Sequence, residues 1–218
     1  LLKSTDLLDL VYGTNGETPV SDADLTSHLE NKMYKLAYYS IPLYNSSTYA
    51  FADDDQKDTM LRLAQAAVDS YNASAPADAV SQFTAFHEVS SAALSGIYAV
   101  LDSTVPTDGT ASLQTELLSS STLDSAFSTE GSADTIRSLS FGQAVAVQYS
   151  SLSMMLAVRL DPLDGAVLDD VRAQVLADMK SDELQDALAA YGASMQHSLD
   201  SSAMGKLPAR KIAAASSN

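Results

Sequence analysis

The chain has 218 residues, enough for one large domain or two small ones, and its apolar residues are too plentiful for a disordered protein. It carries 28 acidic and 12 basic residues, a net charge of −16, so nucleic acid and anionic membrane surfaces would be repelled and are excluded as partners. It has no cysteine, which excludes disulfides, thiolate catalysis and cysteine-bound zinc.

The charge is unevenly distributed along the chain. Every acidic residue lies within residues 1–200, whereas residues 201–218 contain three basic residues and no acidic one. An acidic body favours protein partners with basic surfaces, or salty surroundings. We expect an N-terminal extension over residues 1–20, a helical domain over 21–200 and a flexible basic tail over 201–218.

Helical patterns begin after a turn signal at Asn15-Gly16, which favours a short hairpin in the first 20 residues. Ser21 and Asp24 form a capping box before a periodic apolar run, which consists of Leu25, Leu29, Met33, Leu36 and Ile41. Pro42 then ends or bends this predicted helix.

Three further helices are predicted in the middle of the chain. The acidic run Asp53–Asp55 precedes a helix from Gln56 to about Tyr71. A second helix follows Pro76 and covers residues 77–101. Leucine periodicity predicts a short helix over Ser112–Phe127.

The longest predicted helix covers Ser132–Leu160 and ends before Pro162. Its part 139–160 is long enough to span a membrane, but two glutamines, four serines and Arg159 favour a buried core helix instead. Two more helices are expected, over Ala166–Lys180 and from a cap at Ser181 to about Leu199. The predicted fold is therefore all-α, an irregular bundle of about six or seven helices.

No motif in the chain indicates an enzyme. There is no Glu-x-x-His pair for a metal in a helical bundle and no Gly-x-Ser-x-Gly nucleophile elbow. The acidic clusters do not have the spacing of a calcium loop. We therefore predict a non-enzymatic protein without a metal site.

The best candidate ligand site is His87 with Phe83 and Phe86. A neutral imidazole in an apolar cage could coordinate the magnesium of a chlorophyll, and the small side chains Thr84 and Ser91 would leave room for its ring. The alternative is a core or half-exposed histidine without a ligand. Tyr38 belongs to a dense tyrosine cluster that forms either a core edge or an aromatic wall for a ligand or partner.

The segment Lys35–Tyr44 (KLAYYSIPLY) resembles the opening helix of a repeat in the peridinin–chlorophyll a proteins of dinoflagellates. Ala85-Phe86-His87, followed by Ser95-Gly96-Ile97, lies at a distance comparable to that of the family's chlorophyll-coordinating histidine. The resemblance covers roughly residues 35–97. It implies that His87 coordinates chlorophyll through a water molecule. Phe83, Phe86 and Tyr38 are expected as neighbours of the pigment from the residues alone.

The chain is also similar in bulk to the small, acidic, cysteine-free extrinsic subunits of photosystems. These resemblances imply an accessory subunit of a photosynthetic complex in the thylakoid lumen, which binds chlorophyll or a carotenoid and contacts basic surfaces of other subunits. The alternative is a structural or adaptor helical bundle, such as a capsid, surface or sensor component, outside the cell or in a high-salt cytoplasm.

Overall fold

The computed structural model describes residues 4–164 and 167–195. These residues form seven α-helices and four β-strands, and the strands make one antiparallel sheet. The predicted all-α bundle is therefore wrong, and the fold is mixed. Internal contacts divide the chain into a unit that ends at Met179, which contains the sheet, and a unit that begins at Lys180. The predicted tail, 201–218, lies outside the described residues.

The seven helices differ widely in length. Helices α1 to α7 span Ser4–Tyr12, Asp22–Lys32, Asp54–Asn72, Ala79–Ala99, Ser120–Ala126, Ser132–Arg137 and Leu168–Ser194. Strands β1 to β4 span Met33–Pro42, Gln114–Ser119, Ala144–Ser150 and Ser153–Leu160. The strand order is β2-β1-β4-β3, so β1 and β4 lie in the centre. In the register, Leu36 lies opposite Glu116 of β2, and Tyr38 lies opposite Ala157 of β4.

Alternate residues of the sheet contribute to two different cores. The first core lies between one face of the sheet and helices α3 and α4; it includes Ala37, Tyr39, Ile41, Met60, Ala64, Val68, Phe86, Ile97, Ala146, Leu156 and Val158. The second core lies on the other face under α5 and α6; it includes Tyr34, Leu36, Leu118, Leu123, Phe127, Ile136, Leu139, Met155 and Ala157. Because α5 and α6 have only seven and six residues, they cover this second face incompletely. Tyr38, Ser40 and Pro42 on that face are only partly buried.

The helix predicted to run from Leu25 to Ile41 ends at Lys32, and the chain continues as β1. The apolar residues of β1 lie on both sides of the strand, because both faces of the sheet bury side chains. A strand buried on both faces loses the simple alternation of apolar and polar residues, so its sequence imitates a helical pattern. Tyrosines and Ile41 favour the extended conformation.

The predicted long helix 132–160 is wrong for the same reason. It consists of the short helix α6 followed by the hairpin of β3 and β4, in which Val145 and Val147 point to the second core while Ala146 points to the first. The predicted helix 112–127 is likewise a strand, β2, followed by α5. Among the described helices, none combines the length and the apolar character needed to cross a bilayer.

Several predicted helices are confirmed. Ser21 caps α2 and accepts a hydrogen bond from the backbone N–H of Asp24, and Asp53 with Gln56 forms a complete capping box at the start of α3. The helix that carries His87 is α4. The first residues form α1 instead of a hairpin, and α7 continues through Ser181, where the sequence had predicted a new cap.

Arg159 fixes the junction between β4 and the segments beside it. Its guanidinium carbon lies 4.9 Å from the ring centre of Tyr34 and 4.7 Å from that of Phe141. It donates hydrogen bonds to the backbone carbonyls of Leu139 (2.7 Å) and Glu30 (3.0 Å). Burial lowers the pKa of Arg159, and the two electron-rich ring faces compensate for part of its lost hydration.

Side chains occupy part of the two open edges of the sheet. On β3, the amide of Asn72 donates to the carbonyl of Ala144 and accepts from its N–H, both at 2.9 Å. On β2, the Gln174 amide donates to the carbonyl of Leu117 at 2.7 Å. These contacts satisfy backbone groups that have no neighbouring strand.

Candidate binding site

His87 lies on the exposed side of α4. Its Nδ1 is 2.6 Å from the hydroxyl of Tyr39, and the two rings stack with their centres 6.1 Å apart at an angle of 15°. Burial raises the pKa of Tyr39, so the phenol keeps its proton at neutral pH and can donate to the imidazole. One nitrogen of His87 is thereby occupied by the protein itself.

Of the other three predicted pigment neighbours, Phe83 shares the exposed side of α4 with His87, whereas Phe86 and Tyr38 do not. Phe86 is fully buried in the first core, where its ring meets the edge of Tyr71 with the centres 5.6 Å apart. Phe83 is 37% exposed on α4. Tyr38 lies on the second face of the sheet, opposite to Tyr39 and α4. The structure thus places Tyr38 away from His87 and beside a different cavity.

That cavity lies where α5 crosses the second face of the sheet, and we call it the Phe127 pocket. Its volume is about 130 Å³. It is lined by Leu36, Tyr38, Glu116, Leu118, Thr122, Ala126, Phe127, Tyr149 and Met155. Most of its wall is apolar or aromatic, so it suits an apolar group of small size.

Local structure explains how the wall forms. Leu36 and Tyr38 are two residues apart in β1 and therefore share a face. Ser119 caps α5 by accepting a hydrogen bond from the N–H of Thr122, and the helix ends at Phe127, whose ring turns back to pack on Tyr149 with the centres 5.5 Å apart. The pocket is the space that this short helix leaves open above the sheet.

Polar groups lie at the rim of the Phe127 pocket. The hydroxyl of Tyr38 donates to a carboxylate oxygen of Glu116 at 3.1 Å, and the hydroxyls of Ser40 and Tyr149 are 2.9 Å apart. Burial, followed by the charge of Glu116, raises the pKa of Tyr38 to about 12. Tyr38 is therefore a neutral donor at physiological pH, and Glu116 keeps further lone pairs for a ligand.

A second, wider cavity continues along β1, and we call it the Asp108 recess. Its volume is about 440 Å³. It is lined by Ser40, Pro42, Tyr44, Ser46, Tyr98, Pro106, Asp108, Thr110, Gln114 and Ser153. Ser40 and Pro42 follow Tyr38 on the same face of the strand, and the hydroxyl of Ser40 contacts that of Tyr149, so the two cavities are neighbours. We call the Phe127 pocket and the Asp108 recess together the groove.

The groove contains polar groups of only a few kinds. The residues that line the Phe127 pocket and the Asp108 recess include no histidine, cysteine, lysine or arginine. Their polar groups are carboxylates, phenols, hydroxyls and an amide, none with an ordinary pKa near 7. Across the described ranges, no three His, Asp or Glu side chains are grouped so that they could hold a metal ion.

Sequence reasoning singled out Tyr38 but missed Leu118, Phe127, Tyr149 and Met155. A signal existed in the spacing of two between Val145, Val147 and Tyr149, which is typical of one face of a strand. The long helix predicted over this region concealed it.

Comparisons with known proteins add no relative: no protein-family model matches the chain, and no curated protein or solved structure shows significant similarity to it.

Proposed function

We propose that the protein is an interaction module that binds extended polypeptide segments of other proteins and holds one apolar side chain of the segment in the Phe127 pocket. The observation that carries this proposal is the pocket's size together with its lining. Its volume of about 130 Å³ is close to that of a cavity of roughly 150 Å³ that accepts benzene. Small-molecule sites usually exceed about 300 Å³. One compact side chain is therefore the matching ligand group.

The surroundings of the pocket favour a peptide over a free hydrocarbon. An extended segment carries backbone N–H and C=O groups that need partners when water is displaced. Glu116, Ser40, Tyr149 and Gln114 offer both donors and acceptors beside the pocket and along the groove. These groups fit the repeating polar pattern of a main chain.

Among apolar side chains, proline matches the pocket well. Its ring is compact, and pockets lined by aromatic side chains are a recurring recognition mode for proline-containing segments. Here Tyr38, Phe127 and Tyr149 supply the aromatic surfaces. Leucine and valine are the next candidates by size.

The proposal keeps two earlier predictions, a non-enzymatic role and a protein partner. The photosynthetic accessory role with a pigment on His87, and its location in the thylakoid lumen, stay predictions. They are not what the geometry supports best, because His87 is exposed and bonded to Tyr39 while Tyr38 lies across the sheet.

Methionine methyl NMR tests the proposed function with an internal control. Met155 lines the pocket, whereas its neighbour Met154 is buried in the first core on the opposite face. Titration with acetyl-Ala-Ala-Pro-Ala-Ala-amide should shift the Met155 methyl signal in a saturable way and leave Met154 nearly unchanged. Burial of one apolar side chain contributes about 1.5–3 kcal/mol, so we expect a dissociation constant of about 10 mM. The all-alanine peptide should bind more weakly.

A pair of variants completes this test. Ala126→Phe places a large ring at the mouth of the pocket and should abolish the shift, whereas Ala92→Phe adds the same ring to an exposed position of α4 and should preserve it. Saturable binding that survives Ala126→Phe would contradict the proposal. So would the absence of any Met155 shift with proline, leucine and valine peptides.

A further inference from the structure

We infer that the bound segment carries a lysine or arginine two residues from its apolar side chain, and that this basic side chain occupies the Asp108 recess. The inference rests on the proposed function, because it places the basic residue of the bound segment relative to the apolar residue in the Phe127 pocket. It adds a requirement on the partner that the apolar pocket alone does not contain.

The geometry sets the distance between the two positions. Tyr38, Ser40 and Pro42 are successive residues on one face of β1, and each step of two residues covers about 6.7 Å. Tyr38 lines the Phe127 pocket, whereas Ser40 and Pro42 line the Asp108 recess. An extended peptide along β1 has the same repeat, so side chains two residues apart point to the same side and reach both cavities.

The chemistry of the recess fits a cation. Hydrogen bonds from the hydroxyl and the backbone N–H of Thr110 lower the pKa of Asp108, so this carboxylate is ionised at neutral pH. Tyr44 and Tyr98 line the same recess. The ionised carboxylate of Asp108 attracts an ammonium or guanidinium group by charge and can accept its hydrogen bonds.

The protein does not supply this cation from the residues that the structure describes. The ion pairs found in residues 4–164 and 167–195 involve neither Asp108 nor Glu116. The recess volume of about 440 Å³ accommodates a long side chain with its hydration. The net charge of −16 adds a long-range attraction for basic segments.

The test compares peptides that differ only in charge. Acetyl-Ala-Pro-Ala-Lys-Ala-amide and its reversed sequence are titrated beside versions in which norleucine replaces lysine, with the Met155 methyl signal as the readout. At low salt, one of the lysine peptides should bind about threefold more tightly than its norleucine version. Asp108→Asn should abolish this difference, whereas Glu88→Gln, on α4 at the opposite face, should preserve it.

The outcomes separate this inference from the proposed function. If lysine and norleucine peptides bind equally and both shift Met155, the inference is wrong and the apolar site stands. A charge preference that persists in Asp108→Asn also overturns it, provided that this variant keeps the norleucine affinity of the parent protein. If no peptide shifts Met155, the proposed function fails, and this inference fails with it.

Discussion

At the scale of single residues, two glycines show opposite roles. Gly142 has a φ of 78°, and a Cβ added there would lie 2.4 Å from the side-chain nitrogen of Gln82. Gly96 lies in the exposed part of α4, and a Cβ there would meet nothing within 4 Å. The same substitution should therefore change stability in opposite directions.

We expect Gly142→Ala to lower the free energy of unfolding by about 1–3 kcal/mol, from backbone strain and the clash with Gln82. Gly96→Ala should raise it by about 0.5–1 kcal/mol, because alanine is the better helix former. Urea denaturation of both variants checks the pair. Equal effects of the same sign would contradict this account of Gly142.

The buried hydroxyl of Tyr71 predicts a loss of stability at high pH. Burial raises the pKa of Tyr71 from 10.0 to about 12, and its hydroxyl donates to the carbonyl of Gly142 at 3.1 Å. Because the folded pKa exceeds the unfolded value, the stabilisation is complete below about pH 10 and is lost as the pH rises towards 12. Unfolding free energies measured from pH 9 to pH 12 should therefore decrease.

Tyr71→Phe removes one of the groups responsible, so its alkaline decrease should be smaller than that of the parent protein. Tyr49→Phe is the matched control, since this side chain is 76% exposed. An identical slope in Tyr71→Phe and the parent would show that Tyr71 does not contribute. A change of slope in Tyr49→Phe would point to a general effect of removing a hydroxyl.

At the scale of elements, the sequence predicts several helices from local signals and fails at the strands. Ser21, Asp53 and the periodic face of α3 are local signals, and each is confirmed. Strands β1 and β4 pair with each other although they lie far apart in the chain, and they bury both faces, so no local alternation marks them. Strand β3 pairs with the adjacent β4 and carries only the short spacing of two described above. The pocket was largely hidden for this reason, because the strands and α5 bring its walls together.

The capping box of α3 gives a test at this scale. Asp53→Ala removes the acceptor for the N–H of Gln56, whereas the backbone N–H of residue 53 can still donate to the Gln56 side chain. We expect a loss of about 1 kcal/mol in unfolding free energy. Asp55→Ala removes an acid from the same first turn without touching the cap, and it should cost only a few tenths. Thermal unfolding of the two variants distinguishes the loss of the capping hydrogen bond from the loss of a negative charge.

At the scale of the whole molecule, the excess of acidic residues opposes folding by self-repulsion. Two of the basic side chains, Arg137 and Arg172, each contact two aspartates, but such exposed pairs contribute little. Salt should therefore reduce the repulsion among the acidic residues more than it weakens these ion pairs, and so stabilise the fold. We expect the unfolding temperature to rise by several degrees between about 0.01 M and 0.5 M NaCl.

The isoelectric point provides the control for this effect. Near pH 4.2 the net charge vanishes, and the salt dependence should become small. If salt raised the unfolding temperature equally at neutral pH and at pH 4.2, the cause would be a general salt effect on apolar burial. Complete unfolding at low salt would favour the predicted adaptation to salty surroundings.

The side chains at the edges of the sheet affect whether copies of the protein associate with one another. An open strand edge can recruit a strand from another molecule, and repeated addition leads to polymers. Asn72 occupies both backbone groups of Ala144, and Gln174 occupies the carbonyl of Leu117, so each edge lacks a continuous row of free partners. The protein can thus keep the proposed peptide-binding groove on the face of its sheet without its edges acting as templates for its own copies.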